Sequence, residues 1–162
     1  MTAHTHRGGW IIFFTFVAAM ILLMVPLPEW ARLLRPEWVV MVLIYWCMAL
    51  PERVGVGLGW FAGLMVDVAQ GTLLGQHAMA MALVAFLTIK LHQRIRVFPL
   101  GQQALTVLLL VMIYSIVMLW IRGLTGTAPT IWSNLAPTLT TALVWPWLFM
   151  FMRFVRRRYQ VK

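Results

Sequence analysis

Long apolar runs, separated by short polar connections, follow one another along the whole chain. About 20 consecutive apolar residues form a helix that crosses the roughly 30 Å hydrocarbon core of a bilayer. The pattern therefore predicts an all-α integral membrane protein, whose 162 residues form a single transmembrane domain with six transmembrane helices. The predicted helices cover approximately residues 10–27, 37–50, 54–69, 73–91, 100–121 and 131–152, and a basic tail follows over residues 153–162.

The second apolar run, residues 38–50, is short for a membrane span. Its 13 residues reach only about 20 Å as an α-helix. A re-entrant hairpin made of the second and third runs is the alternative, but its tip would hold Glu52 and Arg53 at membrane depth. A charge placed there costs about 3 kcal/mol or more, whereas local thinning of the bilayer costs less, so we expect a full crossing.

The composition excludes a water-soluble globule. Of the 162 residues, 62% are hydrophobic and 10% are charged. A soluble domain usually has about 25% charged residues, so this chain has too little polar surface to cover a soluble fold. The charged flank of the first apolar run resembles that of a signal peptide, but the run is long and no cleavage site is evident, so we expect an uncleaved first span.

The basic residues lie at the ends of the apolar runs and in the tail, not on one face of a soluble fold. The net charge of +9 therefore does not indicate a nucleic-acid partner. With six spans, ten of the 13 lysines and arginines fall on the side of the termini, and Arg32, Arg35 and Arg122 fall on the other side. Because basic residues concentrate on the cytoplasmic side of membrane proteins, both termini are predicted to be cytoplasmic.

The basic tail is predicted to contact membrane lipid. A lysine or arginine near an anionic bilayer surface gains about 1 kcal/mol from the negative surface potential. The predicted lipid-surface anchor comprises Arg153, Arg156, Arg157 and Arg158.

Small residues recur at every fourth position of the third run. Because four residues advance a helix by a little more than one turn, side chains at this spacing lie nearly above one another. Such a stripe lets a second backbone approach closely. It favours either a packing seam between two helices of this chain or a docking surface for a partner helix. The series comprises Gly55, Gly59, Gly63, Asp67 and Gly71.

Asp67 is the acidic residue that lies within an apolar run, while the other three acidic residues lie at run ends. A carboxyl group in a membrane segment must find a partner or water, which makes it a candidate functional group. Solvation at the interface is the alternative, because Asp67 is close to a helix end. His77 opens the next run and is the nearest candidate partner. The candidate extracytoplasmic polar cluster comprises Asp67, Gln70, Gln76 and His77.

No catalytic or cofactor-binding constellation is recognisable in the sequence. There is no phosphate-binding G-x-x-x-x-G-K-[ST] motif and no nucleophile with a base nearby. His4 and His6 supply only two ligands, which do not make a closed metal site. We therefore expect a non-enzymatic protein without a metal or a cofactor.

The sixth run carries polar side chains on one face. They fall at i, i+4, i+7 and i+11, a spacing that places them on the same side of a helix. Side chains of this kind usually form hydrogen bonds between membrane helices. The residues are Asn134, Thr138, Thr141 and Trp145.

Several short motifs, taken in order and with their spacing, resemble the MreD family of rod shape-determining proteins of Gram-negative bacteria. They are Arg35-Pro-Glu-Trp38, Ala49-Leu-Pro-Glu-Arg53, Gly63-Leu-Met-Val-Asp67, Leu74-Gly75, Gln102-Gln-Ala-Leu105 and Trp145-Pro-Trp147. The resemblance implies a multi-pass protein of the bacterial inner membrane. It also implies a fold similar to the six-helix substrate-binding components of energy-coupling-factor transporters. Gly59, Gly63 and Asp67 match the most recognisable helix of the family.

The resemblance further implies a role in the cell-elongation machinery, beside MreC, MreB, RodA and a penicillin-binding transpeptidase. A scaffold that docks a membrane partner such as MreC and supports lateral peptidoglycan synthesis is the function it favours. The alternative is a small-molecule or lipid-binding subunit or carrier, with an extracytoplasmic pocket near Asp67. The resemblance carries over no catalytic residue.

Overall fold

The protein is all-helical over the residues that the computed structural model describes, which are 8–127 and 130–161. The prediction of an all-α chain is therefore confirmed for this part, and His4 and His6 lie outside it. The helices are α1 (Gly9–Met24), α2 (Glu29–Arg32), α3 (Trp38–Ala49), α4 (Val56–Gln70), α5 (Gln76–Val97), α6 (Leu100–Leu124) and α7 (Ile131–Arg158).

Two helices extend further than their apolar runs. The helix α5 continues to Val97, so that the expected basic connection after residue 91 is helical, and α7 continues through the predicted basic tail to Arg158. Arginine is a good helix former, and positive charge in the last turn interacts favourably with the helix dipole. The α5 helix begins later than predicted, because Gly71 and Gly75 adopt positive φ angles and form a turn before it.

Three helices, α5, α6 and α7, are long and apolar enough to cross a membrane, whereas α1, α3 and α4 are shorter apolar helices. The outer surface of the bundle is covered by large apolar side chains. Phe61, Leu109 and Leu143, for example, are 56%, 54% and 70% exposed. A surface of this kind is solvated by lipid rather than by water, so the chain is a membrane protein.

The α3 helix lies at the centre of the bundle, where every residue from Val39 to Ala49 is buried. It packs against α1, α5 and α7. The indole Nε1 of Trp46 donates a hydrogen bond to Thr15 Oγ1 of α1 at 2.9 Å. At 12 residues the helix is only about 18 Å long. Because other helices rather than lipid surround it, its length does not have to match the bilayer.

The first and last described residues lie at the same end of the bundle. The rings of Trp10 and Tyr159 are 6.0 Å apart. A Cβ atom at Gly8 would lie 2.8 Å from the side chain of Val161. These contacts join the start of α1 to the end of α7.

Two arginines satisfy the carbonyl groups that the ends of short helices leave unpaired. Arg96 donates hydrogen bonds to the carbonyl oxygens of the last two residues of α3, at 2.8 and 2.6 Å. Arg35 donates to the carbonyl oxygen of Leu23 at 2.5 Å and also to that of Val25 at the end of α1. Each guanidinium thus supplies donors and a positive charge where a helix C-terminus needs them.

Candidate functional site

Gly59 and Gly63 face α5 of the same chain. A Cβ atom at Gly63 would lie 2.4 Å from the Cα atom of Ala78, and one at Gly59 would lie 3.0 Å from the Cβ atom of Ala85. At Gly63 only glycine permits this approach of the two backbones, whereas a side chain at Gly59 would make a tight contact. This part of the small-residue stripe is therefore covered by α5, which leaves no room there for a partner helix.

The two ends of the glycine series do not belong to this seam. A Cβ atom at Gly55 or Gly71 would meet no described atom within 4 Å. Gly55 precedes α4 in an extended conformation, and Gly71 ends the helix with φ of 66°. The expected stripe therefore forms a packing surface only within α4, which covers Val56–Gln70, and Gly55 and Gly71 take no part in the seam with α5.

Asp67 is fully buried and closes the turn between α4 and α5. Its Oδ1 atom accepts hydrogen bonds from Thr72 Oγ1 at 2.9 Å and from the His77 backbone nitrogen at 3.0 Å. Its Oδ2 atom accepts one from the Gly75 backbone nitrogen at 2.9 Å. The Nδ1 atom of His77 is 2.6 Å from Oδ1. The two backbone donors are among those that the start of α5 leaves unpaired, so Asp67 caps that helix.

The expected pairing of Asp67 with His77 is present, but the predicted polar cluster is not one site. Gln70 and His77 line a polar cavity, whereas Asp67 and Gln76 do not. Gln76 is buried, and its side-chain nitrogen has no hydrogen-bond partner among the described residues. Sequence spacing placed the four residues near one turn, but it did not show which way each side chain points.

The polar cavity has a volume of about 140 Å³ and lies at the end of the bundle opposite Trp10 and Tyr159. It is lined by the end of α1, by α2 and its connection to α3, by the turn between α4 and α5, by the second half of α6 and by the start of α7. Its charged and amide-bearing lining residues are Arg32, Arg35, Glu37, Gln70, His77, Arg122 and Asn134. The sequence predicted that Arg32, Arg35 and Arg122 lie on one side of the membrane, but it did not indicate that they line the same cavity.

Glu37 is the carboxyl group of this cavity, and it immediately precedes α3. Burial raises its pKa to about 7, although the positive charges of Arg122 and Arg35 act in the opposite direction. The backbone nitrogen of Glu37 donates a hydrogen bond to Thr141 Oγ1 of α7 at 3.0 Å. A carboxyl group with this pKa changes its charge near neutral pH.

The predicted hydrogen bonds from the polar face of α7 are formed by Thr138 and Thr141, whereas the side-chain nitrogens of Asn134 and Trp145 have no hydrogen-bond partner among the described residues. The hydroxyl oxygens of Thr138 and Ser115 are 2.9 Å apart and join α7 to α6. Thr141 accepts the backbone hydrogen bond of Glu37. Trp145 is fully buried on the same face.

An apolar groove of about 570 Å³ separates α1 from α4, with Val39 of α3 among its lining residues. Phe13, Phe16 and Met20 contribute from α1, and Phe61 contributes from α4. The α4 residues that line the groove are not the glycines that form the seam with α5. The spacing of apolar residues in the sequence did not distinguish the groove-lining residues from residues that simply face lipid.

The basic residues of the predicted lipid anchor lie on the last turns of α7. Arg153, Arg157 and Arg158 are exposed, and Arg156 is half-buried.

Within residues 8–127 and 130–161 no three histidine, cysteine or acidic side chains form a group that could hold a metal ion. The arrangement offers packing, capping and binding surfaces.

Comparison with known proteins identifies the family. The profile described as rod shape-determining protein MreD matches residues 5–155. The rod shape-determining protein MreD of Haemophilus influenzae is 33% identical over 143 residues, which cover 88% of this chain and 88% of that protein. No solved structure matches the chain. The matched region includes the seam, the capped turn and the cavity, and the chain belongs to the MreD family of rod shape-determining proteins.

Proposed function

We propose that the chain is a non-enzymatic inner-membrane scaffold of the cell-elongation machinery, which docks a membrane partner such as MreC and supports lateral peptidoglycan synthesis. Membership of a family that determines rod shape supports the general role. The apolar groove between α1 and α4 is the observation that carries the docking role. MreB, RodA and a penicillin-binding transpeptidase are proposed members of the same assembly.

The shape of the groove favours a helix as its occupant. The α1 residues that line it recur at spacings of three and four from Gly9 to Met24, so the groove follows the whole helix. Sixteen residues correspond to a length of about 24 Å. Aromatic and thioether side chains line both walls, and such side chains adapt well to an apolar helix laid between them. The proposed occupant is the membrane-spanning helix of a bitopic partner.

Cysteine crosslinking tests this docking surface. In a Cys47→Ala background, Phe61→Cys places a thiol in the groove, and Leu143→Cys places one on an exposed apolar position of α7. Each variant is co-expressed with MreC carrying one cysteine in its membrane helix. We expect crosslinking at position 61 to exceed that at position 143 several-fold. Equal yields at the two positions would contradict docking in the groove.

We also propose that α1, α3 and α4 cross the membrane together with the three long helices, which gives a single six-span domain with both termini in the cytoplasm. The ten-to-three division of the basic residues supports this orientation. A fold similar to the energy-coupling-factor components is part of the same proposal. Membrane-impermeant labelling checks it: Gln160→Cys should react from the cytoplasmic side and Thr125→Cys from the opposite side, and reaction of both from one side would refute it.

The exposed arginines at the end of α7 are proposed to hold this end against anionic lipid of the cytoplasmic leaflet. Replacing Arg153, Arg157 and Arg158 by glutamine should lower the affinity of the purified protein for phosphatidylglycerol. Retained affinity would show that these side chains do not contact the lipid surface.

A second candidate function is a small-molecule or lipid-binding subunit. The polar cavity beside the Asp67–His77 pair is the observation that favours it. A ligand that binds the folded state raises the unfolding temperature of the purified protein. A screen by thermal unfolding therefore tests this function separately from partner docking.

A further inference from the structure

The polar cavity carries an excess of positive charge. Arg32, Arg35 and Arg122 line it with three guanidinium groups, and Glu37 contributes the carboxyl group that faces them. His77 lines the cavity, but its partner Asp67 lies behind the lining and supplies no further carboxylate to it. A concave site of one sign with low-dielectric walls concentrates ions of the opposite sign.

Two buried hydrogen-bond donors of the cavity-lining residues have no partner among the described residues. The Nε atom of Arg35 is buried and unpaired, although the two terminal nitrogens of that guanidinium are bonded to carbonyl oxygens of α1. The side-chain nitrogen of Asn134 is also buried and unpaired. An amide can rotate to offer its oxygen instead, but a guanidinium can only donate. The unmet requirement of this site is therefore for acceptor atoms.

Arg122 is the most available of the three guanidinium groups. It is half-buried at the cavity, and no described residue forms an ion pair or accepts a hydrogen bond from its side chain. Its charge nevertheless acts on Glu37 across the cavity. A half-buried, unpaired arginine that lines a polar cavity is well suited to a ligand that carries negative charge.

We propose that this cavity binds a phosphate group between Arg122, Arg35 and Asn134. The donors come from three separate elements, which are the connection before α3, the end of α6 and the start of α7. Tetrahedral phosphate presents acceptor oxygens in several directions, whereas a carboxylate presents two in one plane. Guanidinium groups form strong charge-assisted hydrogen bonds with such oxygens.

The available space agrees with a group of this size. The cavity of about 140 Å³ is on the order of ten times the space that one water molecule needs. The phosphate can come from solution or from a lipid headgroup, since both present the same oxygens. The inference rests on the binding role proposed second above and is independent of the groove between α1 and α4.

The test uses the purified full-length protein in a neutral detergent. Unfolding temperature is measured in sodium phosphate and in sodium chloride of equal ionic strength, and native mass spectrometry records retained phospholipid. Arg122→Gln removes the cavity charge, and Arg94→Gln removes an equal charge from an exposed position near the end of α5, outside the cavity and outside the proposed lipid anchor. Asn134→Asp adds a carboxylate of nearly the same shape to the cavity wall and guards against a folding defect peculiar to position 122.

We expect phosphate to stabilise the wild type and Arg94→Gln, with binding at least about tenfold weaker in Arg122→Gln and Asn134→Asp. Stabilisation by inorganic phosphate identifies a soluble source. Retained phospholipid that is lost in the two cavity variants, without an effect of inorganic phosphate, identifies a headgroup. Equal behaviour of Arg122→Gln and Arg94→Gln in both measurements overturns the inference. Stabilisation by a neutral ligand alone also overturns it, but it leaves the second candidate function intact.

Discussion

Gly63 lies directly against Ala78 of the neighbouring helix, so close that a Cβ atom would come within 2.4 Å of the Ala78 Cα atom. A side chain at position 63 therefore requires α4 and α5 to separate. We expect Gly63→Leu to lower the free energy of unfolding by about 3 kcal/mol or more, as overpacking in a tight interface does. Titration of the purified protein with sodium dodecyl sulfate, followed by circular dichroism, measures the change.

Gly57 provides the matched control in the same helix. A Cβ atom there would meet no described atom within 4 Å. Gly57→Ala should be neutral, or should stabilise the protein by up to about 1 kcal/mol through helix propensity. A loss as large as that of Gly63→Leu would show that the close approach to Ala78 is not the cause.

The cap that Asp67 provides to α5 leads to a second prediction. In Asp67→Asn one carboxylate oxygen becomes an NH₂ group, which faces donors rather than acceptors. We expect a loss of about 1–3 kcal/mol in the free energy of unfolding, because a buried donor is left unsatisfied. Thr72→Val removes only one of the hydrogen bonds to Asp67 and should cost less. If the two variants are equally stable by detergent titration, the cap is not what stabilises the turn.

The raised pKa of Glu37 leads to a prediction about pH. Its pKa rises from 4.5 to about 7 in the folded protein, so folding favours the protonated form. The contribution to stability is fully present below pH 4.5 and is lost as pH rises through about 7, by at most about 3 kcal/mol. The other titratable or charged groups at the cavity are Arg32, Arg35, His77, Tyr114 and Arg122.

Glu37→Gln isolates the effect of this carboxyl group, because the other groups are common to both proteins. The unfolding temperature of the wild type relative to Glu37→Gln should fall between pH 5 and pH 8. A constant difference across this range would show that Glu37 does not titrate there.

The hydrogen bonds from Arg96 to the end of α3 lead to a fourth prediction. Arg96→Gln leaves two carbonyl groups of α3 without these donors, which should cost about 1–3 kcal/mol in the free energy of unfolding. Arg94→Gln, in the same turn of α5, removes an equal charge from an exposed side chain. Hydrogen exchange at residues 47–50 should rise in Arg96→Gln only. Equal exchange in both variants would indicate that the charge, and not the capping, stabilises this end.

The sequence predicted those features that depend on local spacing. Glycines at positions 59 and 63 predicted a close contact between helices. Asp67 and His77 lie on either side of one short turn, and this placement predicted their pairing. Both features belong to the hairpin formed by α4 and α5, where the short connection limits how the two helices can pack. Their residues could therefore be identified from the sequence alone.

The cavity was not predictable in the same way. Arg35, Glu37, Arg122 and Asn134 come from three separate segments, and each has an ordinary explanation as an interfacial charge or a packing amide. Only the packing of α6 and α7 against the connection before α3 brings them together. The extension of α5 to Val97 was missed for a related reason, because hydropathy marks where apolar character ends and not where the backbone stops being helical.

The central position of α3 has a consequence for biogenesis. The ribosome produces this segment before α5 and α7, which enclose it in the finished protein. Of the helices that α3 packs against, α1 is made before it, but α5 and α7 do not yet exist when α3 is synthesised. The innermost helix can therefore reach its native surroundings only after the last helix of the chain has been synthesised.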